Sequence, residues 1–235
     1  LKQIVRYAKD ECEVIIACTD SNAVITYLNG TNGGGPLPDL AAIRFIEVPY
    51  NSIWGRDYGA ETMYKNEVDS LYLMDWIYNR PRPDDDVMPE SIAVFKGLPI
   101  FGATQAPYDV VHTGGNFMAD GFGTAFSSYL VYDENGPNGN YNQTVKTQAQ
   151  VDGLMEQWMG ITQYITMPTL QYDAIHHIDM HMKLLDEERL LVGEFPVGVS
   201  DGPQIEANLN SYVAGHNSVF GDPFKLIRIP MPPST

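Results

Sequence analysis

Apolar and polar residues alternate along His176-His177-Ile178-Asp179-Met180-His181-Met182-Lys183. That period of two predicts a strand with successive side chains on opposite faces, so His177 and Asp179 share one. Other stretches follow a helical period. Residues 1–11 place Leu1, Ile4, Val5 and Ala8 on one side, which predicts a short amphipathic helix. The compact apolar run Val14–Cys18 predicts a buried strand. Asp20-Ser21-Asn22 supplies an N-cap for a helix to about Leu28, a Gly- and Pro-rich loop follows at 29–39, and 43–48 predicts another strand.

From Ser52 onward one unit recurs. Trp54-Gly55-Arg56-Asp57-Tyr58 leads into a strand at 60–64, a charged turn at 65–70 and an apolar strand at 71–78. A Pro-rich loop, a helix near 90–96 and a strand around 98–101 complete it. Gly114-Gly115-Asn116 begins the unit again, with a second strand at 124–132, a polar Asn/Gly loop, a helix at Gln148–Met159 and a strand at Gln163–Met167. Val151, Leu154, Met155 and Trp158 mark the inner face of that helix. His177 opens a third copy, with a second strand at 189–195, a helix at about 204–214 and a last strand at 224–229. The starts at Asp57, Gly115 and His177 are roughly 60 residues apart, a period that marks repeated supersecondary units. No such unit buries its sheet face alone, so copies pack around or along a shared axis. The opening helix and strand read as the tail of an earlier copy. The alternative is an ordinary two-layer α/β domain with accidental spacing.

Composition narrows the partners. The 235 residues carry 30 acidic and 14 basic side chains, a net charge of −16, which argues against nucleic-acid binding through a basic patch. The same charge is compatible with a cationic substrate. Cys12 and Cys18 form neither a disulfide framework nor a zinc spacing. No apolar run reaches the ~18 residues of a spanning helix, so no membrane is expected. The chain begins inside the first helix, which suggests a missing true start and makes the lack of a targeting signal uninformative.

If the units are related by rotation, Asp57, Asn116, His177 and Asp179 converge at one end of the axis. Two carboxylates and an imidazole suit a planar cation, since each carboxylate accepts paired N–H bonds from a guanidinium. His177-x-Asp179 is also what a surface strand with a polar face would carry. A carboxylate-and-His metal site is a further option, without a second histidine at a usual spacing on the same element.

Trp54-x-Arg56-Asp57, Thr113-Gly114-Gly115-Asn116-x3-Asp120-Gly121-x-Gly123 and His177-x-Asp179 occur in the order seen in guanidine-modifying penteins. Through Tyr78-Asn79-Arg80-Pro81-Arg82-Pro83 the chain most resembles the Porphyromonas-type peptidylarginine deiminases, over about 14–229. The resemblance implies an α/β fold of pentein type, a five-bladed α/β propeller of ββαβ repeats, incomplete in this chain. It implies hydrolysis of a guanidinium to a ureido group with release of ammonia, by a cysteine thiolate and without cofactor or metal. Asp57 and Asp179 match the carboxylates that hold the guanidinium. His177 matches the residue that protonates departing ammonia and then deprotonates water. Arg80 and Arg82 match residues that hold the α-carboxylate of a C-terminal arginine, which points to an arginine-containing peptide or small guanidino substrate. A solvated loop paired with the acidic run 84–86 is the alternative for these two arginines, and that run could instead hold a structural cation. Trp54 is expected to wall the guanidinium pocket or to sit in the core. Gly115 and Asn116 are expected at the substrate, although a bare Gly-Gly also marks a turn. His176 and His181 read as polar-face or edge residues.

The family's late nucleophilic cysteine has no match here. Cys12 and Cys18 lie in the opening unit, and Cys18 reads as a buried hydrophobe. The expectation is therefore one partial catalytic domain over 1–235, missing the C-terminal segment with the nucleophile and inactive by itself. Agmatine deiminase is the alternative activity, and a non-catalytic binder of guanidinium or arginine peptides is the alternative of another kind. A secreted or periplasmic protein is expected in the first case and a cytoplasmic one for agmatine deiminase. Oligomeric state is not legible.

Overall fold

In the computed structural model, which describes residues 1–65 and 68–232, the chain opens with α1 (Lys2–Ala8), β1 (Val14–Cys18), α2 (Ser21–Asn29) and β2 (Ile43–Glu47). β1 and β2 pair in parallel around the α2 crossover. Asp20 starts α2 by accepting from the Ala23 N–H at 3.1 Å. The buried face of α1 differs from the apolar stripe. Leu1 and Ile4 are 82% and 68% exposed, whereas Lys2 is buried. Its Nζ donates to the carbonyls of Tyr27, Gly30 and Asn32 at 3.0, 2.7 and 3.0 Å. Three acceptors offset the cost of removing an ammonium from water, and periodicity has no means of showing them. β1 is half-buried rather than buried, except at Cys18.

Three units follow. The first contains α3 (Gly55–Tyr58), β3 (Glu61–Lys65), β4 (Ser70–Tyr78), α4 (Pro83–Asp86), α5 (Met88–Lys96) and β5 (Ile100–Ala103), with the short β6 (Val111–His112) also paired to β4. The second has a 3-10 turn at Gly114–Asn116, then β7 (Met118–Ala119), β8 (Thr124–Ser128), α6 (Leu130–Asn135), α7 (Gln148–Met159) and β9 (Gln163–Met167). The third has a 3-10 turn at Ile178–Met180, then β10 (Met182–Leu184), β11 (Arg189–Glu194), α8 (Gly202–Asn208), a wide turn at Leu209–Val213 and β12 (Lys225–Pro230). In each unit the first two strands are antiparallel and the third joins the second in parallel after a helix. The expected strand–strand–helix–strand repeat is thus present three times in a mixed α/β fold of separate sheets. The charged turn expected at 65–70 lies partly outside the described residues.

Packing links neighbouring units. On β8, Ala125 faces a cluster with Trp76, Phe117, Val151 and Met155, while Phe126 faces another with Ile165, Ile178, Leu190 and Ile205. Adjacent strand residues point to opposite faces, so this middle sheet is covered on both sides and β8 is buried throughout.

Three expected elements differ. The strand expected through 132 stops at Ser128, and α6 follows. Asn135 at its end exchanges hydrogen bonds with the Val111 backbone, 2.9 Å to N and 2.8 Å to O, so the segment is tied to β6 as a helix. The Pro-rich stretch after β4 contains α4, whose Pro83 occupies a first-turn position where its missing N–H costs nothing. The alternating stretch around His177 is not a strand. His176 adopts a positive φ of 59° and a 3-10 turn follows. His177 therefore sits at the N-cap of a turn that contains Asp179, and the two do not share a strand face.

Candidate active site

The openings of the three units meet. Arg56 in α3 donates through Nη2 to the Phe117 carbonyl of the second unit at 2.8 Å. Asn116, with no exposed surface, accepts through Oδ1 from the Ser128 N–H at 2.9 Å and the Ile178 N–H at 3.2 Å. Its Nδ2 donates to the Ser128 carbonyl at 3.3 Å. Its amide thereby ties the third unit's turn to β8. The Ser128 hydroxyl donates to the His176 carbonyl at 2.5 Å, holding the left-handed residue just before His177.

His177 is 3% exposed, and its Nδ1 lies 3.5 Å from Oδ1 of Asp57. Gly115 runs between the two. A Cβ there would overlap His177 Nδ1 and lie 2.7 Å from Asp57 Oδ1, so only glycine permits the pair to approach. Gly114 is equally constrained, because a Cβ on it would overlap the Arg56 carbonyl. Burial lowers the His177 pKa, reinforced by Arg80 and opposed by Asp57 and Asp173. Burial thus favours the neutral imidazole, the form a base needs. Among the described residues its buried Nε2 has no partner. Asp179 is exposed, yet its carboxyl lies above the ordinary range because it is recessed among protein atoms and feels the charge of Asp57.

β4 ends at Tyr78 and delivers Arg80 and Arg82, both half-buried, to the wall of a surface cavity of about 310 Å³ shared with Tyr78, Tyr141 and Asn142. Arg82 Nη1 donates to the Tyr78 hydroxyl at 2.9 Å and to Ser52 Oγ at 3.3 Å. Arg80 Nη1 donates to the Asn79 carbonyl at 2.8 Å. Neither forms an ion pair among the described residues. The acidic run does not neutralise them, because it is occupied elsewhere. Asp85, fully buried, accepts from the N–H groups of Asn51 and Ser52 at 2.7 and 3.0 Å and from Ser52 Oγ at 2.6 Å. Asp84 bonds the Asn51 amide at 2.8 Å, and Asp86 accepts from the Tyr78 N–H at 2.7 Å. The run thereby pins the backbone that leads into Trp54 and Asp57. That use also removes the reason to read it as a cation site; among the described residues no three His, Cys, Asp or Glu are grouped to hold a metal ion.

Trp54 is 55% exposed at the start of α3, which excludes the core reading. His181 is buried, against the expectation of an edge residue, and burial lowers its pKa to about 4 despite Asp173 and Asp201. Cys18 ends β1 with its thiol pushed up by burial and by Glu47, the opposite of an activated nucleophile. Glu134 and Tyr141, which adjoin Arg80, went unrecognised in the sequence. One fell just past an expected strand and the other in an Asn/Gly loop, with no motif marking either.

The fold is shared with solved structures. A Porphyromonas gingivalis protein provisionally called an arginine deiminase superposes with a TM-score of 0.79 at 17% identity, covering 98% of this chain and 66% of that one. An agmatine deiminase of C. jejuni gives 0.71 at 18% identity, covering 98% and 62%. The agmatine deiminase of Enterococcus faecalis gives 0.74 at 14%, covering 97% and 61%. The chain spans between 61% and 66% of the length of these proteins. A family model described as Porphyromonas-type peptidyl-arginine deiminase matches residues 1–235. The chain belongs to the Porphyromonas-type peptidyl-arginine deiminase family.

Proposed function

We propose that the whole protein hydrolyses the guanidinium of a C-terminal or free arginine to a ureido group, using a cysteine supplied by residues outside this chain. The supporting observation is the pair of buried His177 and half-buried Asp57, 3.5 Å apart and contributed by two different units. Neutral His177 takes the thiol proton, and the thiolate attacks the guanidinium carbon. The same proton passes to the departing nitrogen, which leaves as ammonia. His177 then takes a proton from the water that attacks the thiouronium carbon. Collapse breaks the carbon–sulfur bond; the proton on His177 returns to the sulfur, and the adduct's hydroxyl proton is lost to solvent as the ureido carbonyl forms. Asp57 and Asp179 hold the planar cation through paired N–H bonds, and Trp54 offers its exposed ring to the same cation. In this reading the three units are part of a five-bladed propeller, and the region 1–235 is a partial catalytic domain.

Arg80 and Arg82 favour a substrate with a carboxylate, because a guanidinium pair forks that group. The solved agmatine deiminases favour a second reading, in which the substrate lacks one. The test is citrulline formation by the whole protein from a peptide ending in arginine, compared with turnover of agmatine. The peptide should be preferred, and His177→Ala should stop turnover without changing the melting temperature. Faster turnover of agmatine would reject the substrate assignment, and a near-normal rate in the variant would remove His177 from the chemistry.

A further inference from the structure

Arg80 rests on a buried polar cluster to which no role has been assigned above. Glu134, at the end of α6, is 8% exposed, and Asn79 is 1% exposed. The Asn79 Nδ2 donates to both carboxylate oxygens of Glu134, at 2.9 and 3.1 Å. The Tyr141 hydroxyl donates toward the Asn79 carbonyl at 3.0 Å, with Glu134 Oε1 3.3 Å away. That carbonyl is also the acceptor for Arg80 Nη1. Tyr141 reaches this point because its loop is clamped by a buried ion pair. Lys146 Nζ lies 3.1 Å from Asp109 Oδ1, and the other Asp109 oxygen accepts from the Thr144 N–H at 2.5 Å.

We infer that Glu134 is a positioning residue that aims Arg80 at the carboxylate of the substrate, acting through Asn79 and Tyr141. The inference rests on the arginine-substrate reading above. Glu134 grips the Asn79 side chain, and the Asn79 carbonyl in turn holds the Arg80 guanidinium. Burying a carboxylate is costly, and here the donors that compensate for it all converge beneath one cation. Burial pushes the Glu134 carboxyl up to about 7, opposed by Asn79, Arg80 and Tyr141. Asn79 turns no donor toward the cavity in this arrangement. Its work is done on the backbone that carries Arg80.

The test is steady-state kinetics of the whole protein carrying Glu134→Gln, on a peptide ending in arginine and on agmatine, which differs in lacking the carboxylate. The glutamine keeps one acceptor for Asn79 Nδ2 and puts an NH2 donor where the second oxygen was, so the two-oxygen grip is lost. KM for the peptide should rise roughly tenfold, with kcat and agmatine turnover little changed. Tyr141→Phe removes one hydroxyl and should shift the same ratio in the same direction by less; it decides the matter if the glutamine variant does not fold. An unchanged ratio, or equal losses on both substrates, overturns the inference. A wild-type protein with no preference for the carboxylate would instead reject the substrate reading itself, before any variant is measured.

Discussion

The Cα of Gly115 stands so close to Asp57 that an added methyl would lie 2.7 Å from its Oδ1, and the same methyl would overlap Nδ1 of His177. Backbone from the second unit thus separates two side chains of the first and third. Gly115→Ala should push them apart. Overpacking of this kind costs on the order of 1–3 kcal/mol. Loss of turnover should exceed the loss of stability, because a displacement of about 1 Å in a catalytic group can cost on the order of a hundredfold in rate. Citrulline assays and thermal melts of the same preparation measure the two effects.

Arg82 is held by the Tyr78 hydroxyl and Ser52 Oγ. Its replacement by lysine keeps the charge and loses the fork. Arg82→Lys should raise KM for a peptide ending in arginine, and Arg80→Ala should raise it further, by roughly tenfold or more. Agmatine, with no carboxylate, should be much less affected. An equal loss on both substrates would place the arginines outside carboxylate recognition.

Asp85 is fully buried and accepts three hydrogen bonds from Asn51 and Ser52. Asp85→Ala leaves two backbone N–H groups without an acceptor and should destabilise the fold by roughly 3 kcal/mol. Asp84→Ala, which severs bonds to the more exposed Asn51 side chain, should cost clearly less. Urea denaturation of the two variants compares them directly. Equal midpoints would mean that the acidic run does not pin this segment.

His181 is held at about 4 against an ordinary 6.5. Between those values the unfolded chain binds a proton that the folded chain refuses, so stability falls as pH drops through this window. His112, lowered to about 3 by burial and by His177, continues the trend at lower pH. Both ring nitrogens of His181 lack partners among the described residues, so leucine should be tolerated there. His181→Leu should leave the urea midpoint at pH 7.5 near its original value and flatten its decline toward pH 4.5. An unaltered slope would show that this imidazole does not control the acid limb.

Local order was readable where a single segment decides its own conformation. β1, α7 and β9 lie where their apolar patterns put them, and α2 starts at the cap that Asp20 offers. The alternation around His177 misleads, because its buried residues Ile178 and Met182 belong to a turn and to the strand that follows it, not to one pleated strand. The Ile178 N–H is taken by Asn116 from the preceding unit, a partner invisible to any local window. Lys2 misled for the same reason, since its three acceptors come from residues 27–32.

What the amino-acid order determined alone was the threefold recurrence of strand, strand, helix and strand, and the residue types available for binding a cation. Periodicity and spacing are local properties, and each unit carries them in its own segment. Which side chains meet was decided only by tertiary packing. Asp57 comes within reach of His177 because Gly115 has no Cβ to keep them apart. Asp85 does not pair with the arginines because backbone N–H groups of Asn51 and Ser52 claim its carboxylate. Close approach and hydrogen-bond satisfaction are relations between distant segments, and they exist only once those segments have packed together.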